Sequence, residues 1–205
     1  MSLNDAHLIM RRSLFQLIIR GDRSVRDTSR QKTMELGASY TFNPMFSLAA
    51  YAYSGQQRIA ERTSSGPKGQ RTLIDLIATL NITKKLCFVV NYDGALQTKA
   101  ALPNGTIAEA VWQGIAGYVN YQLNPKWRTS LRGEIFSDRN GYRTGVAQTW
   151  DELTITLSYF PIKNLEFRAE TRRDFSNVSS FLNKNGITTS HNQQSFALEG
   201  IFRFT

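Results

Sequence analysis

The feature that most constrains this chain is a hydrophobic period of two residues, which recurs in segment after segment. Between Leu153 and Tyr159, for example, apolar side chains alternate with Thr154, Thr156 and Ser158. A strand places successive side chains on opposite faces, so this pattern predicts strands with one apolar and one polar face. Ten such strands can be assigned. One of them, residues 45–54, is apolar on both faces, and its orientation stays open.

The connections between these strands alternate between short turns and long loops. The short ones carry turn residues such as Asn43-Pro44 and Asn124-Pro125. The long ones are polar and glycine-rich, and they are predicted over residues 21–31, 55–69, 94–107, 137–147 and 174–193. Strict alternation requires adjacent strands to be antiparallel, with all long loops at one end. The sequence therefore predicts an all-β, antiparallel, up-and-down transmembrane barrel of about ten strands, or the C-terminal segment of a larger barrel.

One-sided alternation by itself leaves the solvent open. A soluble barrel that carries a small ligand turns its apolar face inward, whereas an outer-membrane barrel turns it towards lipid. The loop asymmetry, strands of roughly 9–11 residues and aromatic side chains near the short turns favour the membrane barrel. Those aromatic residues are Tyr40, Phe42, Phe46, Tyr121, Trp127, Tyr159, Phe160, Phe202 and Phe204. We therefore expect outer-membrane lipid to contact the apolar face, which bears Leu153, Ile155, Leu157, Phe167, Phe196, Leu198 and Phe202.

Charged residues lie on the polar face of two strands that follow each other closely. We expect them to line a water-filled pore: Arg128, Arg132, Glu134, Glu166, Arg168, Glu170 and Arg172. The strand 150–159 should lie between the two charged strands, so the arginines must reach across Thr154 and Thr156. Arginine outnumbers glutamate in this set, and the whole chain carries a net charge of +9. This excess predicts a field that favours anions among small hydrophilic solutes.

The residue types that most catalytic and metal sites need are scarce. The chain has one cysteine and two histidines, and the histidines, His7 and His191, lie near opposite ends. No metal-ligand spacing is present, and a Ser–His hydrolase is disfavoured because His191 lies in a predicted long loop and His7 in the N-terminal tail. We therefore expect no enzymatic activity, no cofactor and no bound metal. Basic and aromatic residues do not share a continuous stripe, so nucleic acid is not an expected partner.

The N-terminal region lacks the order of a signal peptide. Its short apolar run, residues 14–19, follows Arg11 and Arg12 and leads into Arg20 instead of a small-residue cleavage site. Either the protein is cytoplasmic or its natural N-terminus is missing. We expect one domain over residues 1–205, in which residues 1–12 form a disordered or irregular tail.

Several segments, taken in order, resemble the OmpL-like outer-membrane β-barrel porins. They are GYVNYQLNPKW (117–127), LRGEIFSDRNGYRTG (131–145), LSYFP (157–161), NLEFRAETRRDFSN (164–177) and QSFALEGIFRF (194–204). The similarity is strong from about residue 110 onward and weaker before it. Members of this family are usually longer, and the chain resembles only their C-terminal part. The resemblance implies a bacterial outer-membrane barrel through which small solutes diffuse passively.

Two alternative functions stay open at this point. One is a soluble β-barrel that carries a small ligand, and the other is a non-porous outer-membrane barrel that acts through its loops. Homo-oligomerisation is compatible with both membrane interpretations, because trimers are common among porins.

Overall fold

The computed structural model describes residues 14–21, 32–58, 68–183, 185–186 and 188–204. The predicted tail, residues 1–12, lies outside this range, as does most of the predicted loops 21–31 and 55–69. Across the described ranges, no helix is long and apolar enough to cross a membrane.

Twelve strands occur in the described residues. They are β1 (Leu14–Gly21), β2 (Lys32–Thr41), β3 (Phe46–Arg58), β4 (Lys68–Asn81), β5 (Leu86–Ala101), β6 (Ile107–Asn124), β7 (Trp127–Asp138), β8 (Gln148–Ile162), β9 (Leu165–Ser176), β10 (Phe181–Leu182), β11 (Thr188–Ser190) and β12 (Asn192–Phe202). Ten of them form one sheet in the order β1 to β9 followed by β12, while β10 and β11 pair separately. The predicted fold class and strand number are thus confirmed.

Each strand of the sheet pairs antiparallel with its neighbour in the chain, as the loop alternation predicts. Strand β8 lies between the two charged strands, since Thr154 pairs with Arg132 of β7 on one side and with Arg172 of β9 on the other. Strands β1 and β12 are the two edges of the sheet, and in the described part of the chain no ladder joins them.

Three of the predicted loops are shorter in the structure, because the strands continue further. The loop prediction over 94–107 is wrong: the β5–β6 ladder continues to Ala101 opposite Ile107 and leaves only residues 102–106 as a connection. Strand β9 likewise continues through Asp174 to Ser176, and β3 continues to Arg58. The polar residues of these ends resemble a loop, yet they occupy positions in long ladders.

The sheet exposes its apolar face and shelters its polar face. The seven side chains expected to point outward are all exposed, from 40% at Leu157 to 74% at Leu198. Glu152, Thr154 and Ser158 on the opposite face of β8 are buried. The expected orientation of the apolar face is confirmed, and it is the reverse of that in a soluble ligand carrier. The same parity orients β3, on which Leu48 is exposed.

The sheet bends towards its polar face, which we call the inner face. Arg71 on β4 donates a hydrogen bond from Nη2 to the hydroxyl of Tyr142, which follows β7, over 3.1 Å. Neighbouring strands are about 4.8 Å apart, so β4 and β7 are separated by roughly 14 Å of sheet. Side chains meet across that span because the sheet curls around the inner face.

Candidate functional site: a charged inner face

All seven residues predicted to line a pore lie on the inner face. Strand β7 supplies Arg128, Arg132 and Glu134, and strand β9 supplies the other four at alternate positions. The antiparallel register brings the two sets to the same depth on either side of β8. The structure therefore assembles one patch from residues that are up to 44 positions apart in the chain.

Glu166 is the centre of the cluster nearest the short turns. Its side chain is fully buried, and it accepts hydrogen bonds from Arg128 Nη2 at 2.8 Å, Arg168 Nε at 2.7 Å and Arg203 Nη2 at 2.7 Å. The Ser158 hydroxyl also hydrogen bonds to it. Because Ser158 is short, Arg128 reaches over β8 to the carboxylate. Three guanidinium groups thus neutralise one sheltered carboxylate and connect β7, β9 and the C-terminal strand.

Glu152 is the centre of a second cluster on the same face, further from the short turns. It forms ion pairs with Arg132 and, at 3.2 Å, with Arg172, and its Oε1 accepts a hydrogen bond from the Thr154 hydroxyl at 2.6 Å. Arg132 also pairs with Glu134. The sequence predicted that these arginines bridge over Thr154 and Thr156. The structure instead joins them through Glu152.

Tyr118 and Asp174 contact the two arginines at the lateral ends of this second cluster, on β6 and β9. The hydroxyl of Tyr118 accepts a hydrogen bond from Arg132 Nε at 3.0 Å, and the guanidinium lies 5.6 Å from the ring centroid. Asp174 accepts one from Arg172 Nε at 2.8 Å. Each arginine is therefore held on two sides, which fixes the direction of its charge.

The sequence missed four charged members of this site. Glu152 and Asp174 are buried on the inner face, and Glu199 and Arg203 come from β12 and its end. Alternation along the strands places Glu152, Glu199 and Arg203 on the polar face, so the sequence could have identified them. Asp174 lay in a predicted loop and could not be assigned to a face. We call the whole set the inner charge patch: Arg128, Arg132, Arg168, Arg172, Arg203, Glu134, Glu152, Glu166, Glu170, Asp174 and Glu199. Five arginines now face six acidic residues, so the predicted excess of arginine does not exist in this patch.

The chemistry of the patch is that of fixed charges in contact with water. In the described ranges no group of histidine, cysteine or acidic residues has the geometry to hold a metal ion. Arg132 and Arg172 are partly exposed at their side chains, by 26% and 41%, so a small polar molecule on the inner face can contact them without displacing an ion pair. Such an arrangement can orient and attract polar solutes.

The sequence profile of the family described as beta-barrel porin-2, OmpL-like, matches residues 12–204. The chain belongs to this family. The match extends well before residue 110, so the family likeness covers nearly the whole chain and not only the later segments. As an OmpL-like porin, the protein is an outer-membrane barrel with a porin-like function, and small-solute passage is the activity that membership indicates.

A solved structure supports the fold of this OmpL-like porin. The NanC porin in a rhombohedral crystal form is similar over 94% of this chain and 93% of its own chain, with a TM-score of 0.61 and 13% sequence identity. At that identity the likeness concerns the barrel architecture. No curated protein matches the chain significantly.

Proposed function

We propose that the inner charge patch lines a passive diffusion pore of a Gram-negative outer membrane. The observation that carries this proposal is the inverted burial of the sheet: exposed leucine, isoleucine and phenylalanine on one face, sheltered ion pairs on the other. The apolar face is suited to contact with lipid, and the charged face is suited to a water-filled lumen. No chemical group is transferred, and we expect outer-membrane lipid around the barrel.

The pore requires a closed barrel. An open sheet edge leaves backbone N–H and C=O groups without partners in hydrocarbon, at a cost of several kcal/mol for each group. Strands β1 and β12 are the first and tenth strands of the sheet, so they run in opposite directions and an antiparallel ladder suits them. Closure within one barrel satisfies both edges and encloses the inner face.

The charge balance of the patch predicts the kind of solute. Five arginines and six acids give a mixed field, which admits small hydrophilic solutes, anions among them, with weak selectivity between ions. The arginines are held by short contacts such as Arg128 to Glu166, so the field is fixed in space and acts at long range. We therefore expect a reversal potential close to zero in a salt gradient.

Planar-bilayer conductance tests this proposal. Replacing Arg132→Glu and Arg168→Glu should shift the reversal potential towards cation preference, because two positive charges become negative. The milder pair Arg132→Gln and Arg168→Gln should shift it less, in the same direction. Asp151→Asn is the matched control, because Asp151 lies on the exposed outer face and should have no effect.

The remaining outcomes separate the alternatives. Detergent-dependent extraction and heat-modifiable gel mobility without conductance would favour a non-porous barrel that acts through its loops. Extraction without detergent would favour the soluble carrier. Unchanged reversal potentials in conducting, folded variants would show that the patch does not line the permeation path.

A further inference from the structure

Five aromatic rings gather on the inner face at the long-loop end. Trp112, Phe136 and Trp150 come from β6, β7 and β8, whereas Tyr142 and Phe181 come from the connections that follow β7 and β9. The Tyr142 ring lies 5.6 Å from the Trp112 ring, and the Phe181 ring stacks on the Trp150 ring at 5.7 Å between centroids. We call these five residues the aromatic collar. Two long connections thus each place one ring against an inward-facing tryptophan.

The connection after β7 is built to hold its shape. The carboxylate of Asp138 is fully buried and accepts backbone hydrogen bonds from Tyr142 at 3.0 Å, Arg143 at 2.8 Å and Thr144 at 2.8 Å. Gly141 has a φ of 65°, and a Cβ at this position would lie 2.7 Å from the backbone of the same connection. A larger residue would not fit, so this tight conformation is specified by Gly141 and Asp138 together.

Tyr142 is held on the inner face by contacts of its backbone N–H, its hydroxyl and its ring. Its hydroxyl accepts a hydrogen bond from Arg71, whose Nε donates to Gln97 Oε1 at 2.7 Å. The Arg71 guanidinium lies 5.8 Å from the centroid of the Tyr142 ring and 5.6 Å from that of Trp112, and the Arg143 guanidinium lies 5.4 Å from that of Trp112. Gln97 and Trp112 are themselves buried. Cation–π contacts and a buried amide therefore keep the tyrosine on the inner wall.

Phe181 lies on the connection that follows β9 and makes its own contacts, separate from those of Tyr142. It is only 6% exposed, and the Trp150 beneath it donates from Nε1 to Gln148 Oε1 at 2.6 Å. Gln148 also accepts a hydrogen bond from Ser176 at 2.7 Å. The contacts given above for the described residues tie Tyr142 and Phe181 to different partners, so Phe181 can be removed without releasing Tyr142.

The collar lies directly next to the inner charge patch. A cavity of about 180 Å³ is lined by Phe136 and Trp150 of the collar and by Glu134, Glu152, Arg172 and Asp174 of the patch. A solute that enters from the long-loop end must pass the rings before it meets these charges.

We propose that Tyr142 sets the size limit of the pore by narrowing its long-loop mouth. This proposal rests on the proposed function, because it requires that the inner face surround a permeation path. The half-buried ring of Tyr142 restricts width, while the patch below it determines the field. Tyr142 is therefore a specificity-determining residue that acts through steric exclusion, whereas the buried ring of Phe181 packs against Trp150.

The test combines single-channel conductance with the exclusion of polyethylene glycols of graded size. Tyr142→Ala should raise the conductance and admit larger polymers than the unmodified protein does. Phe181→Ala removes a buried ring and should change neither quantity. Tyr121→Ala removes an exposed outer-face ring near the short turns and should change neither quantity.

The outcomes separate this inference from the proposed function. If the unmodified protein does not conduct, the pore itself is refuted. If it conducts and Tyr142→Ala keeps its conductance and polymer cut-off, only the constriction is refuted. If Tyr142→Ala loses heat-modifiable mobility, Tyr142→Cys in a Cys87→Ser background replaces it. A bulky thiol reagent should then lower the conductance, and an unchanged conductance after complete labelling would overturn the proposal.

Discussion

At the scale of single residues, the inner face depends on carboxylates that each serve several arginines. Glu166 has no solvent exposure and accepts from three guanidinium groups that are themselves 32% to 50% exposed. Water screens the arginines but not the carboxylate. The negative charge is therefore the irreplaceable member of the cluster, because without it three positive charges are left facing one another.

This asymmetry predicts a large effect at Glu166 and a small one at Glu170. Glu166→Gln should lower the free energy of unfolding by about 2 kcal/mol, since hydrogen bonds to a buried charged group are lost and the arginines repel. Glu170→Gln, on the same face of β9, loses one hydrogen bond from the Thr156 hydroxyl and should cost about 1 kcal/mol or less. Urea unfolding in lipid vesicles measures both. Equal losses would mean that the Glu166 cluster contributes no more than an ordinary contact.

At the scale of elements, a strand of the sheet presents two faces of opposite polarity. On β8, Leu153, Ile155 and Leu157 are exposed and about half accessible, while Thr154 between them is buried. An apolar band of this kind in an outer-membrane barrel is about 25 Å tall. Ile155 lies near its centre, and Asp151, four residues along the same face, lies at its margin.

The position along β8 should therefore decide the cost of a charge on the outer face. Ile155→Arg should lower the free energy of unfolding by ~2–4 kcal/mol, the range for arginine at the bilayer midplane. Asp151→Arg should cost only ~0–1 kcal/mol, because arginine near the interface keeps contact with water. Urea titration of both variants in vesicles gives the comparison. A similar cost at the two positions would argue against lipid contact along this strand.

At the scale of the whole molecule, the inner face has two zones along the direction of the strands. The inner charge patch occupies the zone towards the short turns, and the aromatic collar occupies the zone towards the long loops. The outer face shows a matching polarity: rings such as Trp127 and Tyr159, with centroids 4.6 Å apart, lie near the short turns. Aromatic rings at one end of a barrel favour one orientation in a membrane. On the two proposals above, the pore is narrowed at one depth and its electrostatic field is set at another.

The native Cys87 should report on this architecture without further engineering. It is the one cysteine in the sequence, it lies on the inner face of β5 opposite Asn120 of β6, and it is partly accessible. A small, charged, water-soluble thiol reagent should lower single-channel conductance in a stepwise manner, because the added group occupies the lumen. Cys87→Ser should be insensitive to the reagent. Complete labelling of the native protein with no change in conductance would place Cys87 outside the permeation path.

The sequence determined the ten strands of the main sheet, their order, and the faces of all except the one over residues 45–54. A period of two is a property of the pleated backbone, so the spacing of Leu153, Ile155 and Leu157 is enough to assign them to one face. Alternating connections required antiparallel neighbours, and inward parity placed Arg132 and Arg168 on the polar side. These conclusions follow from local patterns, and local patterns are readable one segment at a time.

Only the tertiary structure decided where the long strands end and which charges meet. The β5–β6 ladder runs past Gln97, whose buried amide accepts a hydrogen bond from Arg71, and Arg71 in turn holds Tyr142 from far along the chain. Glu152 joins Arg132 to Arg172 only in the register that aligns three strands. Such contacts depend on register and curvature, which no single segment encodes, and so the nearly neutral charge balance and the aromatic collar became visible only in the folded sheet.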